Sequence, residues 1–172
     1  WLCLTNSGVD FVNQNMLYIL GLLDDCRDHG FPGDPNAGQV SRFYAAPGLA
    51  VRLTRNLDKE RGFVNGTMCH VETILYCEGK TPIVFTVKLS LTGVLVLVHP
   101  IWHDKQRILP CTYGYATTIR RAQGATYWHG CLYFDHCYPP EPGYGYVAAS
   151  RFKSKAGVYI YGKIRQTDFI PV

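Results

Sequence analysis

Apolar residues recur along the chain with two spacings, which predict a mixture of helices and strands. A stripe that returns every three or four residues over 9–28 predicts an amphipathic helix, and shorter helices are predicted over 118–123 and 145–150. Short β-branched and aliphatic runs bounded by Gly, Pro or Asn predict strands. These strands are expected at 1–5, 49–53, 67–76, 83–89, 93–98, 114–116, 131–135 and 158–161.

The first predicted helix has sequence signals at its end. His29-Gly30 is expected to terminate it and Pro32 to prevent its restart, so the polar residues of 30–40 predict an exposed loop. One face of this helix is expected to be buried. Its residues are Phe11, Val12, Asn15, Met16, Ile19, Leu20, Leu22 and Leu23.

The order of the elements predicts the fold class. Strands that alternate with helices near both ends of the chain predict an open, mostly parallel α/β sheet. The three apolar runs within 67–98 predict a small antiparallel sheet between those ends, and Asn65-Gly66 predicts a tight turn before it. A turn-rich segment, 56–66, precedes this module, and 100–110 links it onward.

Composition bounds the size of the protein and the sign of its surface. The chain has 172 residues, 47% hydrophobic and 17% charged, which predicts about one domain with a substantial core and little disorder. The net charge is +4, but residues 1–104 carry 8 basic and 10 acidic side chains, whereas 105–172 carry 9 and 3. The basic half suits a polyanionic partner, although a solvated basic surface explains the charge equally well.

Seven cysteines occur without a CxxC pair, mostly inside apolar runs. Buried, reduced thiols in a reducing compartment are therefore expected, not a disulfide framework. We see no signal peptide and no apolar run of about 18 residues, so we expect no membrane span. The chain begins at Trp1 without Met and within an apolar run, which indicates a fragment of a longer protein.

Several patterns that imitate functional motifs have simpler explanations. Gly79-Lys80-Thr81 lacks the earlier glycine and the following helix of a phosphate-binding loop, so we interpret it as a hairpin turn. Asp135 ends an apolar run without a second acid, which favours a core strand with a polar exit over a metal site. Chance spacing explains three metal-like groups better than zinc does, so no metal site is predicted. These groups are His99 with His103, Cys69-His70 with Cys77, and Cys131 with His136-Cys137.

Segment 117–126 carries side chains suited to a phosphate ligand. Thr118 offers a short hydroxyl donor, and Arg120 and Arg121 would diverge by about 100° on a helix. One arginine could then meet a nucleic-acid phosphate while the other braces the fold. Gln123-Gly124 closes the helix and allows a ligand to approach the backbone. Taken alone, a surface helix with a glycine cap is the simpler explanation.

Four segments in order resemble superfamily 1B DNA helicases of the RecD/Pif type, in their second RecA-like lobe. Residues 118–126 (TIRRAQGAT) are similar to the family pattern T-I-H-K-S-Q-G-x-T, and 146–151 (YVAASR) to Y-V-A-L-S-R. Residues 2–13 resemble a strand followed by T-N and a helix with a spaced Asn, and 51–67 resemble V-x-L-x-R-N-L-D followed by G-x-x-N-G-T. The resemblance implies two parts: a RecA-like lobe over 1–66 and 111–172, and a small antiparallel β-barrel-like insert over 67–110.

The resemblance also implies roles for individual residues. Arg151 is the expected arginine finger, which would stabilise charge on the γ-phosphate of ATP and contribute about 10³–10⁵ in rate, with a structural role as the alternative. Gln123 and Gly124 are expected to face the same nucleotide. The expected contacts with single-stranded DNA are Thr5, Asn6, Thr118, Arg120 and Arg121. For Thr5 and Asn6, capping of the following helix is an equal alternative.

The implied activity is ATP hydrolysis coupled to 5′ to 3′ translocation on single-stranded DNA. The ATP-binding Lys and the Mg²⁺-holding acids of the family belong to a first RecA-like lobe and are not found in this sequence, so the chain alone is expected to be inactive. The departures from the family pattern include Arg120 for His, Ala122 for Ser and Tyr144 for Gln. They also fit a non-catalytic nucleic-acid-binding or scaffold module derived from a helicase. The expected setting is intracellular, with the nucleus or mitochondrion favoured in a eukaryote, in DNA repair or recombination.

Overall fold

The computed structural model describes residues 1–22, 27–37, 42–76, 82–135 and 142–170. The chain divides into two compact units, one formed by Trp1–Gln14 with Ala116–Val172 and the other by Asn15–Tyr115. The helices are α1 (Asn6–Ile19) and α2 (Tyr144–Ala149), with short 3-10 helices at Pro35–Ala37, Lys155–Gly157 and Gln166–Phe169. The strands are β1 (Leu2–Cys3), β2 (Arg27–Pro32), β3 (Arg42–Ala45), β4 (Ala50–Leu53), β5 (Met68–Tyr76), β6 (Pro82–Leu89), β7 (Leu95–Val98), β8 (Ile101–His103), β9 (Gln106–Ile108), β10 (Cys111–Tyr113), β11 (Thr117–Thr118), β12 (Gly130–Tyr133) and β13 (Val158–Tyr161).

The first unit is built on a four-stranded parallel sheet with the strand order β11-β1-β12-β13. Leu2 and Leu132 lie side by side on neighbouring strands and are buried with Ala148 of α2 in one apolar cluster. The predicted parallel α/β sheet is therefore present, and the strand at 158–161 and the helix near 145–150 are confirmed.

The second unit is built on a five-stranded antiparallel sheet with the order β10-β4-β5-β6-β7, and the hairpins β2–β3 and β8–β9 belong to the same unit. Its core includes stacked rings, with Phe43 centred 4.7 Å from Tyr113 and 5.9 Å from Phe85. The three strands predicted within 67–98 are confirmed as β5, β6 and β7. The turn predicted at Gly79-Lys80-Thr81 lies outside the described residues.

The expected boundaries of the insert, at 67 and 110, do not coincide with this second unit. Strand β4 was placed by sequence in the parallel lobe, but it lies between β10 and β5, with Val51 opposite both Tyr113 and Cys69. Its apolar run identified a strand without identifying its neighbours. The antiparallel unit accordingly extends across Asn15–Tyr115.

The prediction for α1 was wrong at both ends. The helix starts at Asn6, and after Ile19 the chain closes on Gly21, whose φ of 65° is left-handed. The N–H groups of Gly21 and Leu22 donate back to Tyr18 and Leu17 at 3.0 Å, a Schellman arrangement that stops the helix. Residues Arg27–Pro32 form β2 and pair with β3, so the exposed loop expected at 30–40 is in part a strand.

The buried face of α1 also differs from the predicted one. Val9, Val12 and Leu17 are buried, which fits a helical repeat. Ile19 and Leu20, both expected inside, are 67% and 47% exposed. Because the sequence pattern was extended past the true end of the helix, its face was assigned with the wrong phase.

The helix predicted over 118–123 is instead a short turn that follows β11. Its backbone bonds run from Ala122 N to Thr118 O at 3.1 Å and from Ala125 N to Ala122 O at 3.0 Å. Ile119 and Ala122 point into the apolar cluster of the first unit. The strand predicted at 114–116 falls between two observed strands, because β10 ends before it and β11 starts after it. The link predicted at 100–110 contains the hairpin β8–β9.

Candidate functional site

All five residues predicted to contact DNA line one groove of the first unit. The groove has a volume of about 370 Å³, and its lining also includes Leu4 and Tyr144. The five predicted residues in the lining are Thr5, Asn6, Thr118, Arg120 and Arg121. Their convergence on one groove is a property of the folded chain, since they come from two segments more than one hundred residues apart.

The topology of the parallel sheet explains this convergence. Cys3 of β1 lies opposite Thr118 of β11 in parallel register, so the two strands end at the same edge. Thr5 and Asn6 follow the end of β1, whereas Arg120 and Arg121 follow the end of β11. Ligands of open α/β sheets commonly bind at this edge, outside the carboxyl ends of the strands.

Thr5 caps α1, which was one of the two alternatives for it. Its Oγ1 accepts a hydrogen bond from the backbone N–H of Gly8 at 3.0 Å and donates to Asp135 Oδ2. A side chain at Gly8 would crowd this carboxylate, because a Cβ there would lie 2.9 Å from Asp135 Oδ2. Asp135 is thus the polar exit of its strand and supports the edge of the groove, a role that the sequence did not reveal.

The two arginines give the groove its positive charge. Both are exposed, and Arg121 Nη1 donates to Asn6 Oδ1 at 3.3 Å, while its backbone N–H donates to Thr118 Oγ1 at the same distance. No acidic residue is among the described residues that line the groove. The helix expected to carry the two arginines is absent, and both side chains border the groove from a turn.

Gln123, Gly124 and Arg151, the residues predicted to face a nucleotide, do not line this groove. Gln123 and Gly124 are exposed in the turn, where Gly124 has a left-handed φ of 84°. Arg151 follows the C-terminal end of α2, whereas Tyr144 of the groove opens it. The six residues of α2 span roughly 9 Å, at about 1.5 Å per residue.

The guanidinium of Arg151 is held against the segment that follows Gly124. Nη1 donates to the carbonyl of Ala125 at 3.5 Å, Nε to Val147 O at 3.2 Å, and Nη2 to Ser150 Oγ at 2.9 Å. These bonds engage three of the five N–H donors of an arginine, so two are left for a further acceptor. The geometry brings Arg151 and the Gln123-Gly124 turn into one neighbourhood and leaves the guanidinium able to bind a phosphate oxygen.

Asn13, the spaced Asn of the helix, has a structural role within the first unit. Its side chain is 2% exposed, and its Oδ1 accepts a hydrogen bond from the backbone N–H of Ala116 at 3.0 Å. Ala116 directly precedes β11. The contact therefore fixes the strand that delivers Thr118 to the groove.

The motif around Arg55 is structural in the second unit. The Asp34 carboxylate, 1% exposed, accepts from Arg55 Nε at 2.6 Å and from Arg55 Nη2 at 2.9 Å. Thr54 Oγ1 donates to it at 2.8 Å, and the backbone N–H of Asn36 at 3.0 Å. This buried network had no counterpart in the sequence interpretation, because Asp34 fell in the predicted loop.

Cys3 and Cys69 are buried, reduced thiols in the described part of the chain. Burial raises the pKa of Cys3, which directly precedes the groove on β1, to about 12, and it raises the pKa of Cys69 to about 12 as well. These thiols remain protonated near neutral pH and are poor nucleophiles. No three His, Cys, Asp or Glu side chains in this part of the chain are grouped to hold a metal ion. No described helix is long and apolar enough to cross a membrane.

Comparison with known proteins identifies the fold. No family model and no curated protein matches the sequence. The chain superimposes on a structure of two coordinating Pif1 helicases at forked double-stranded DNA with a TM-score of 0.75 and 21% identity, covering 99% of this chain and 40% of that one. A Bacteroides Pif1 helicase in complex with ADP-AlF3 and single-stranded DNA gives 0.73 and 20%, covering 99% and 42%. Pif1 helicase from Candida albicans gives 0.68 and 20%, covering 98% and 47%.

The structural match agrees with the resemblance found in the motifs. The chain has the fold of part of the Pif1 helicases and spans about two fifths of the length of the first of these structures. At 20–21% identity, the similarity establishes the fold alone.

Proposed function

We propose that this chain is the C-terminal, second RecA-like lobe of an ATP-dependent DNA helicase that translocates 5′ to 3′ on single-stranded DNA. The observation that carries the proposal is the convergence of five predicted DNA-binding residues on one positively charged groove. Similarity to Pif1 helicases over nearly the whole chain supports it. The first RecA-like lobe would be the partner that completes the motor.

In this proposal, the groove binds the phosphate backbone of the strand. Arg120 and Arg121 neutralise phosphates, and the hydroxyl of Thr118 and the amide of Asn6 supply neutral donors for phosphate or sugar oxygens. Such contacts position a strand without selecting its sequence, as translocation requires. Tyr144 adds an aromatic ring at the border of the groove, where the family pattern has Gln.

Arg151 acts on the nucleotide in the same proposal. Its two remaining N–H donors stabilise charge on the γ-phosphate, and Gln123 and Gly124 approach the nucleotide from the adjoining turn. The residues that hold ATP and Mg²⁺ belong to the first lobe. The bound nucleotide would supply the phosphoanhydride bond whose hydrolysis, with transfer of the γ-phosphoryl group to water, drives translocation.

The departures from the family pattern are compatible with the proposal that the groove binds DNA. Arg120 keeps a positive charge at the position but replaces the donor geometry of an imidazole with a planar fork. Ala122 is 1% exposed within the apolar cluster, so a hydroxyl there would need a buried partner. The exchange of Ser for Ala therefore removes no solvent-facing donor.

The DNA contact is tested by titrating the chain into a fluorescently labelled oligo-dT at several salt concentrations. Arg120→Ala with Arg121→Ala should weaken binding and lower the slope of log K against log salt by about 1.4, because each single-strand phosphate contact contributes about 0.7. Lys59→Ala with Arg61→Ala is the matched control, since both residues are exposed and the charge change is identical. Equal losses in the two double variants would refute the assignment of the groove.

The dependence on a first lobe is tested separately with purified chain, ATP, Mg²⁺ and oligo-dT. We expect no phosphate release above that of a blank without protein. Sustained turnover that is abolished by Arg151→Ala would show that the chain needs no first lobe, and would overturn this part of the proposal.

A non-catalytic nucleic-acid-binding module is the second candidate. It is favoured by one observation: two of the residues that line the groove, Arg120 and Tyr144, depart from the family pattern. An upstream phosphate-binding loop and Asp-Glu strand in the parent transcript would favour the motor. Their absence from the complete transcript would favour the module.

A further inference from the structure

A second basic and aromatic surface lies beyond the C-terminal end of α2, and none of its residues is among those that line the groove. We call it the Trp128 surface, and it consists of Trp128, His129, Lys153 and Lys155. All four side chains are exposed, and the indole of Trp128 is 72% exposed. The segments 125–131 and 151–157 that carry it contain no acidic residue.

The backbone holds this surface in a defined shape. Tyr127 and Phe152 form a parallel bridge, in which Tyr127 N donates to Arg151 O at 2.7 Å and Lys153 N donates to Tyr127 O at 3.0 Å. Their rings pack on each other with centroids 6.1 Å apart at the edge of the apolar cluster. Each bridging residue is followed directly by a member of the surface, Trp128 or Lys153.

Lys153 and Trp128 meet in a cation–π contact. The Nζ of Lys153 lies 3.5 Å from the centroid of the Trp128 ring system. One face of the indole is thus covered by a cation, whereas its high exposure leaves the remainder accessible. Within the described residues, neither Lys153 nor Lys155 forms an ion pair, so both charges are available to an anion.

We propose that the Trp128 surface binds a single-stranded nucleic acid, with an unpaired base stacked on the indole of Trp128 and phosphates neutralised by Lys153 and Lys155. Exposed aromatic rings beside lysines are the combination that binds single strands, because every base has a π face and every linkage a negative charge. A duplex offers the same charge but keeps its bases stacked inside. The surface is separate from the groove and makes no use of Arg120 or Arg121.

The first experiment monitors Trp128 directly. In the double variant Trp1→Phe and Trp102→Phe, Trp128 is the one remaining tryptophan of the sequence. Titration with oligo-dT or oligo-rU should quench its fluorescence, whereas polyphosphate, which has charge but no bases, should not. Quenching by either oligonucleotide supports the proposal and identifies which strand is bound. Absence of quenching by both, in a chain that still binds them by anisotropy, overturns it.

The second experiment separates stacking from charge. Trp128→Ala should weaken oligo-dT binding roughly 5- to 150-fold, the fold-change that corresponds to loss of one stacked base, and Trp128→Phe should recover most of it. Lys153→Ala with Lys155→Ala should lower the salt slope by about 1.4. Equal affinity of Trp128→Ala and the unmodified chain for oligo-dT, or equal losses for oligo-dT and polyphosphate, would overturn base stacking.

The same measurements in the Arg120→Ala with Arg121→Ala background distinguish the two surfaces. If the groove assignment fails, the effect of Trp128→Ala remains. If the Trp128 surface fails, the charge effect of the two arginines remains. Because Trp128 is largely exposed, its replacement should leave the far-UV circular dichroism spectrum unchanged. The fluorescence experiment retains Trp128, so it tests the proposal even if Trp128→Ala does not fold.

Discussion

Replacement of Asp34 by Ala should destabilise the second unit strongly, although Asp34 lies far from any predicted functional motif in the sequence. The substitution removes the shared acceptor of Arg55, Thr54 and the Asn36 N–H. The guanidinium of Arg55 then remains in a partly buried position without its carboxylate. Breaking a buried pair from one side is costly because the remaining charge has lost both its partner and much of its water.

The size of the effect follows from the exposure of the two partners. Removal of one member of a buried pair costs about 3–5 kcal/mol. The side chain of Arg55 is 27% exposed and can regain some hydration, so Asp34→Ala should fall near the lower end, about 3 kcal/mol. Arg55→Ala should cost at least as much, because it leaves behind a carboxylate that is only 1% exposed.

Urea unfolding followed by circular dichroism measures this loss. With a slope of about 2 kcal/mol/M, a loss of about 3 kcal/mol lowers the midpoint by about 1.5 M. Arg61→Ala is the control, because its contact with Asp58 spans 3.8 Å between exposed side chains and should contribute less than about 1 kcal/mol. A midpoint shift below about 0.5 M for Asp34→Ala, at unchanged slope, would show that this network does not stabilise the unit.

Three further changes test individual features. Gly157→Ala places a Cβ against the carbonyl of Trp128 and should cost about 1–3 kcal/mol in urea unfolding; full stability would contradict the close packing seen there. With Cys26, Cys77 and Cys137 replaced by Ser, iodoacetamide at pH 8 should modify half-buried Cys131 before buried Cys3 and Cys69, as read by peptide mass spectrometry. Burial raises the folded-state pKa of Cys3 and Cys69 to about 12 from 9.0, so their contribution to stability should be complete below pH 9 and be lost as pH rises towards 12. Urea midpoints measured across that range should fall less in Cys3→Ala with Cys69→Ala than in the unmodified chain.

Local motifs and one rule of topology explain why Thr5, Asn6 and Thr118 lie at one edge of the sheet. Thr5-Asn6 and Thr118 each follow a short apolar run, and parallel strands place such positions at a common edge. The helix predicted from Thr118 onward was wrong. Arg120 and Arg121 still lie at this edge of the sheet, because their position depends on the end of β11 and not on the form of the turn. The contribution of Asp135 was not predictable, since it depends on contact with Thr5 across 130 residues of sequence.

The errors have a common physical origin in tertiary pairing. An apolar run such as 49–53 predicts a strand, but its assignment to a sheet requires its neighbours, and β4 finds them in β5 and β10. The hairpin β8–β9 escaped notice because its turn places Asp104 and Lys105 at φ values of 45° and 67°, in a conformation usually filled by Gly or Asn. Gly21 was the sequence signal for the end of α1. It was passed over because the apolar pattern continues beyond it to Leu22 and Leu23.

The arrangement around α2 gives the proposed motor a short path between its two ligands. The turn after β11 carries Arg120 and Arg121 at the groove, and the carbonyl of Ala125, just beyond that turn, accepts a hydrogen bond from Arg151 at 3.5 Å. This bond is long and therefore weak, so a phosphate oxygen bound by the two remaining N–H donors can draw the guanidinium away from Ala125 at small cost. Loss of the bond to the Ala125 carbonyl would release the C-terminal end of the turn. The other end of the turn carries Arg120 and Arg121, which contact the DNA strand in the proposed function. In the proposed function, nucleotide and DNA are thus connected through fewer than ten residues of backbone. Arg151→Lys should retain DNA binding, but it should remove the forked guanidinium contact on which this connection depends.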